Sequence, residues 1–237
     1  MLHRIARVAG CLLFAAGLAL YSLRSPVSAA QGDAAFFEPE IRAFEQRDRA
    51  DPPASGGIVF VGSSSIRFWR DLGGDMAPLE VLNRGFGGAQ FSHLIHNVHR
   101  VVTPYAPRMV VIYAGDNDLA EGTGKTAEVV FDDYRRFVAS VRERVPEAHL
   151  YFLAIKPSPL RWERWPEMRR ANALIEAFAA RRQGLDYLDV ATPLLGADGR
   201  PERDFFLPDG LHLSPSGYAT WARLVRSRLL ADWAKLR

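Results

Sequence analysis

Cysteine is almost absent from this chain: Cys11 is the single one in 237 residues. One thiol cannot close an intramolecular bridge, so a disulfide-stapled scaffold is excluded. Acidic residues are missing from the first thirty positions, where Arg4, Arg7 and Arg24 are the only formally charged side chains. These three account for the excess of 30 basic over 27 acidic residues, so the remainder carries 27 of each and is formally neutral. The pI near 9.2 is therefore a property of the N-terminal stretch. It gives no reason to expect a nucleic-acid partner, which would require a basic stripe on the domain itself. Collagen-like, low-complexity and fully disordered chains are excluded by 48% hydrophobic and 24% charged residues.

Residues 1–30 read as a leader. A basic start precedes an apolar run from Val8 to Leu23, and a stretch rich in small residues follows Pro26. This is the layout of a signal peptide, with cleavage expected after Ala29 or Ala30. The run is short for crossing a hydrocarbon core, although an uncleaved anchor is the competing reading and would be the sole membrane contact. Val8-Ala9-Gly10-Cys11 has the look of a lipidation box, but most of the apolar region follows the cysteine rather than preceding it. The expected destination is periplasmic or secreted, with a membrane-anchored form as the variant. The domain left after cleavage would be free of cysteine and would offer no thiol nucleophile.

Residues 31–55 read as a helix around Ile41 and Phe44 followed by a Pro- and Gly-containing connector, and 56–237 as one domain without internal repeats. Ile58–Val61 is a short continuous apolar run, as expected of a strand covered on both faces. Further strands are expected at Glu80–Asn83, Met109–Tyr113, His149–Ile155 and Leu185–Val190. Helices fit 90–102, 126–144, 165–182 and 215–235. In the second of these Val129, Tyr134, Phe137, Val138 and Val141 recur at helical spacing. Alternating strands and helices predict a parallel sheet between helical layers. In such sheets the chemistry gathers at the carboxyl ends of the strands.

Four strand-end segments carry the candidate chemistry. Gly62-Ser63-Ser64-Ser65 follows the first strand and offers either helix-capping serines or a nucleophile beside unpaired N–H groups. It lacks the second glycine of a G-x-S-x-G elbow and the lysine of a phosphate-binding P-loop. Gly85-Phe86-Gly87-Gly88 implies tight turns or close backbone approach. Gly115-Asp116-Asn117-Asp118 supplies an amide donor and a carboxylate able to hold its loop. Asp209-Gly210-Leu211-His212 places an acid and an imidazole three residues apart, so that one ring nitrogen can be held while the other takes a proton. Taken singly, each has a bland structural explanation; together they supply a nucleophile, N–H donors, an amide and an acid–base pair.

In these segments the chain resembles the SGNH hydrolases, the GDSL-like lipase/acylhydrolase family, over about residues 56–230. The resemblance implies a three-layer α/β/α, flavodoxin-like fold with about five parallel strands. It puts the nucleophile on Ser64, its acid–base partners on Asp209 and His212, and the oxyanion hole on the Ser64 and Gly88 N–H groups and the Asn117 side chain. Ser63 stands where that family usually has Asp; with Ser65 and Asp118 it is assigned a supporting role. Ser64 is preferred over its neighbours because it is third in the Gly-x-Ser block and directly precedes the turn carrying Ile66 and Phe68. The implied activity is a serine esterase acting through an acyl-enzyme on short-acyl or carbohydrate O-acetyl esters, without cofactor. The alternatives are a lysophospholipase or thioesterase on longer chains, and a non-catalytic binding or scaffolding relative.

Other residues invite weaker readings. His93, His96 and His99 recur every three residues, but their directions on a helix diverge, so partly exposed histidines are expected rather than a metal site. Trp162 and Trp165, after the break at Pro157-Ser158-Pro159, are candidates for a substrate pocket, while Trp69 fits packing equally well. Lys156, Arg161, Arg164, Arg169 and Arg170 could favour an anionic substrate, diluted by Glu163 and Glu167.

Overall fold

The computed structural model describes residues 35–235; the leader expected over residues 1–30, with Cys11, lies outside them. The first described element is helix α1 (Glu38–Ala50), followed by strand β1 (Ile58–Gly62), the short helices α2 (Ser64–Arg67) and α3 (Leu72–Met76), and β2 (Val81–Gly85). Then come α4 (Phe91–Val101), β3 (Met109–Tyr113), α5 (Ala127–Arg142), β4 (His149–Leu153), α6 (Trp165–Ala179), β5 (Leu185–Leu188) and α7 (Pro215–Trp233). The five strands form one sheet in the order β2-β1-β3-β4-β5, every pair parallel. Among the described residues, no helix is long and apolar enough to cross a membrane.

The sheet is sandwiched because its central strands have no polar face to offer water. Every residue of β1 and β3 is buried, and a parallel strand of this kind needs cover on both sides. α4, α5 and α6 pack side by side against one face, with α1 against α4, while α3 and α7 meet on the other. This is the three-layer α/β/α arrangement. The order places the point at which strand succession reverses between β1 and β3, where a crevice opens at the strand ends.

Local hydrogen bonds explain where the elements depart from the sequence pattern. β2 runs on to Gly85 because Asn83 ties Ile66 O to the Gly85 N–H, at 2.7 and 2.9 Å, holding the strand end against α2. β4 stops at Leu153, and the Asn172 amide then takes over both Ile155 N–H and Ile155 O, at 2.8 and 2.9 Å. β5 ends before Asp189, whose carboxylate turns the chain by accepting from Ala191 and Thr192 N–H. In α5, Thr126 caps the helix, and the inward stripe runs through Val130, Tyr134, Phe137 and Val141. Val129 lies outside that stripe and is exposed, contrary to expectation.

α1 is bound to the domain by a hydrophobic face and by ion pairs around it. Phe37, Ile41 and Phe44 are buried, with Phe37 edge-on to Phe86 at 5.1 Å between ring centroids. Arg100 bonds Glu38 and Glu45, each at 2.6 Å. The buried Arg84 reaches Asp48 and the Tyr105 hydroxyl while lying over the Phe44 ring.

One backbone contact sets the height of β1 under the site. A Cβ at Gly62 would stand 2.0 Å from Tyr113 O, so only glycine fits. Gly62→Ala is expected to lower the unfolding free energy by about 3 kcal/mol, from overpacking and strain together. Gly199 also has a positive φ (+74°) but open space around it, so Gly199→Ala should cost only about 1–2 kcal/mol, the left-handed penalty alone. Urea unfolding of the two variants checks the difference.

Candidate active site

Ser64 is the first residue of α2, immediately after the extended Ser63. Ser63 N–H bonds back to Tyr113 O at 3.0 Å, while its carbonyl accepts from Ile66 and Arg67 N–H at 3.0 and 3.1 Å. The chain thus turns sharply from β1 into a single helical turn with Ser64 at its head. A backbone N–H in that position has no acceptor within its own turn.

The segment Leu207–Leu213 is a tight loop. Leu207 N–H bonds His212 O at 2.8 Å, Gly210 N–H bonds Leu207 O at 2.9 Å, and Phe206 pairs with Leu213 in an antiparallel bridge. Gly210 turns at φ +65° against Pro159 and Leu160, and Leu160 N–H bonds Gly210 O at 2.9 Å. The loop is thereby fixed to the segment after β4.

Within it, Asp209 accepts from the Leu211 and His212 N–H groups at 2.9 and 3.0 Å and lies 2.6 Å from His212 Nδ1. The other ring nitrogen, Nε2, lies 3.0 Å from Ser64 Oγ. Partial burial opposes ionisation of Asp209, but the bonds from the His212 ring and the two N–H groups outweigh it and hold the carboxyl at about 2, below its ordinary 3.8. The contribution of these bonds is complete above 3.8 and is lost as the pH falls towards 2. Phe68 stands edge-on to the imidazole at 5.0 Å.

Asn117 lies beside the serine in the same cleft, and its Nδ2 donates to Ala89 O at 3.1 Å. Gly88, at φ +82°, completes the turn before Ala89 and lines the cleft with Gly87, Arg67, Leu211, Phe36 and Glu40. The cleft has a volume of about 520 Å³. A second hollow, of about 900 Å³, opens on the far side of Phe68 and His212, between Trp69, Leu207, Leu213 and Tyr218.

Supporting positions divide. Asp118 is buried and accepts from Phe91 N–H with both oxygens at 3.2 Å and from Lys125 at 2.8 Å. It ties the Asn117 loop to the start of α4. Ser63 and Ser65, the chain neighbours of Ser64, are buried, and Ser65 O accepts from the Tyr218 hydroxyl at 3.0 Å.

Trp162 and Trp165 lie stacked on one another, with centroids 6.4 Å apart. Neither lines the two hollows beside His212, because the turn after Pro159 carries them onto the start of α6. The residue this turn sends into the site is Arg161, bonded to Asn117 Oδ1. Lys156 is buried against Asp116 at 3.3 Å rather than facing a substrate. Trp69 is buried and donates to Asp75. His93 is buried instead of partly exposed, because its Nδ1 caps α4 by accepting Gln90 N–H at 3.0 Å; His96 and His99 are exposed. Among the described residues, no group of three or more His, Cys, Asp or Glu could hold a metal.

The walls Phe36, Glu40 and Leu211 were not among the residues expected at the site. Leu211 could have been found from its place between Asp209 and His212. Phe36 and Glu40 had no signal, since their position depends on how α1 docks.

The family model for GDSL-like lipase/acylhydrolases matches residues 59–220, and the chain belongs to this family. It is 30% identical over 219 residues to platelet-activating factor acetylhydrolase IB subunit alpha1 of Pongo abelii, covering 87% of each chain. It is 30% identical over 196 residues to isoamyl acetate-hydrolyzing esterase 1 homolog of Bos taurus, covering 68% of this chain and 76% of that protein. A GDSL-like lipase structure from Bacteroides thetaiotaomicron superposes with a TM-score of 0.71 at 20% identity, over 81% of this chain and 98% of that one. Family membership supports hydrolase activity on a small-molecule ester.

The buried carboxylate of Asp116 is the electrostatic anchor of the Asn117 loop. Burial raises its pKa, but Lys156 and Arg161 beside it prevail and keep it lowered. Asp116→Ala would strand the Lys156 ammonium in the interior and should cost about 3–5 kcal/mol of stability. Most of that loss should return in the double variant Asp116→Ala/Lys156→Met, measured by urea unfolding.

Proposed function

We propose that the protein is an exported serine esterase that cleaves short-acyl esters, carbohydrate O-acetyl esters among them, through an acyl-enzyme. The observation that carries this reading is the continuous line Asp209–His212–Ser64, with contacts of 2.6 and 3.0 Å. The ionised Asp209 fixes the ring so that Nε2 faces the serine hydroxyl. Ser64 Oγ attacks the acyl carbon while His212 Nε2 takes its proton. The carbonyl electrons move onto oxygen, beside the Ser64 and Gly88 N–H groups and the Asn117 amide. Collapse expels the alcohol, which receives the proton from His212. Water, deprotonated by the same nitrogen, then attacks the acyl carbon and frees Ser64 and the acid.

A short acyl group is favoured by the cleft beside Ser64, which at about 520 Å³ is the smaller of the two hollows at His212 and is lined by the apolar side chains of Phe68, Leu211 and Phe36. Both curated relatives named above are described as acting on acetyl or acetate compounds. The larger hollow beside Tyr218 favours a second reading, a lysophospholipase or thioesterase, should a long chain lie there. Export rests on the leader pattern of residues 1–30; an N-terminus found at residue 30 or 31 in exported protein would support it.

The purified protein is expected to hydrolyse acetyl and butyryl p-nitrophenyl esters faster than decanoyl or palmitoyl esters. Ser64→Ala should lower kcat by about 10⁴-fold or more, and a fluorophosphonate should label Ser64. Preference for long chains would transfer the assignment to the second reading. Absence of both turnover and labelling would leave a binding relative.

A further inference from the structure

The segment after β4 sends one cation into the site, and its contacts single it out. Arg161 is largely buried, with 17% of its side chain exposed. Nη1 donates to Asp116 O at 2.7 Å and lies 3.5 Å from the Asp116 carboxylate, while Nη2 donates to Asn117 Oδ1 at 3.0 Å. The arginine is itself held by its own N–H on Ser158 Oγ at 3.3 Å and by Leu160 N–H on Gly210 O at 2.9 Å. The second of these bonds belongs to the loop that carries Asp209 and His212.

A carboxamide has two ends of similar shape and opposite hydrogen-bonding character. A guanidinium only donates, so it accepts the oxygen end of Asn117 and repels the NH₂ end. The NH₂ is therefore turned the other way, where one N–H meets Ala89 O and the second remains for a ligand in the cleft. The guanidinium charge bonded to Oδ1 also draws electron density from the amide nitrogen and strengthens Nδ2–H as a donor. Without Arg161 the amide could rotate by half a turn and present oxygen to a developing oxyanion.

We propose that Arg161 is a positioning residue for the oxyanion hole: it sets the orientation of the Asn117 amide and polarises it, without touching substrate. This rests on the serine-esterase reading. It also replaces the sequence-based expectation that Arg161 attracts an anionic substrate, because its guanidinium is committed to the Asp116–Asn117 loop.

The test is a double-mutant cycle on the full chain with neutral p-nitrophenyl acetate, using Arg161→Met, Asn117→Ala and the pair. Arg161→Met should lower kcat by about 10-fold or more, a fraction of the roughly 10²–10³-fold effect of losing an oxyanion donor, with KM nearly unchanged. In the Asn117→Ala background the same substitution should cost almost nothing further. Arg161→Lys, which keeps charge and one donor, should restore part of the rate. The second-order rate of fluorophosphonate labelling at Ser64 should fall in parallel, and thermal melts identify any variant that is merely unfolded. If Arg161→Met does not fold, Arg161→Lys and Arg161→Gln carry the same cycle.

The proposal is overturned by full activity in Arg161→Met, by an equal loss in the Asn117→Ala background, or by a KM effect confined to esters bearing an anionic group. Failure of the parent reading looks different: Ser64→Ala would keep wild-type turnover and the phosphonate would leave Ser64 unlabelled.

Discussion

The fixed point of this molecule is the bare backbone contact at the ends of β1 and β3. Gly62 has no side chain, so its Cα approaches Tyr113 O more closely than any other residue could. The next N–H, that of Ser63, bonds the same oxygen. A second glycine repeats the device across the sheet, since a Cβ on Gly85 would stand 2.3 Å from Arg67 N. The short turn α2 is thus tied at its start to β3 through Ser63 N–H and Tyr113 O, and lies with its last residue against β2 at Gly85. Ser64 therefore belongs to the rigid frame of the strands rather than to a mobile loop. A proposed nucleophile placed this way requires little reorganisation to meet its partners.

Everything else at the site is aligned to that frame through buried polar groups. Asp116 follows β3 by three residues, and its carboxylate gathers Tyr113 from the end of β3 and Lys156 and Arg161 from the segment after β4. Burying one anion beneath two cations is not a way to gain net stability, because each ion gives up its hydration. Its effect is geometric: the positions of the β3 and β4 loops become interdependent. Asp118 does the same for the β3 loop and α4. The loop Leu207–Leu213 joins through Gly210 and Leu160. Four segments remote in sequence thus share one set of contacts around Ser64.

How much of this was legible in the sequence follows from the range of the forces involved. The central strands could be read because burial on both faces writes a continuous apolar run, as in Met109–Tyr113. The Ser64, Asn117, Asp209 and His212 segments could be read because each is a local motif with turn chemistry of its own. The ends of β4 and β5 could not, since Asn172 and Asp189 terminate them through side-chain bonds that no hydrophobic pattern encodes. His93 is buried rather than partly exposed for a related reason: its ring caps its own helix and is drawn under cover. The aromatic pair Trp162 and Trp165 attracted attention by residue type, whereas the geometry of the turn selects Arg161. A lysine such as Lys156 gives no sign in sequence that it will be fully buried; only the three-dimensional position of Asp116 decides it.

The docking of α1 bears on what the cleft can accept. Residues 35–50 precede the span matched by the family model, yet Phe36 and Glu40 form part of the wall facing Ser64. Phe36 is 77% exposed, an apolar ring at the rim rather than a core residue. Glu40 pairs with Arg67, whose guanidinium stands over Gly87 beside the proposed oxyanion turn. The pair neutralises an arginine that would otherwise present a bare positive charge to the substrate. Arg161 is likewise committed to the Asn117 loop and Lys156 to Asp116, so these three cations are each partnered. The physical consequence is a cleft whose lining cation is neutralised and whose remaining walls include the apolar side chains of Phe36, Phe68 and Leu211.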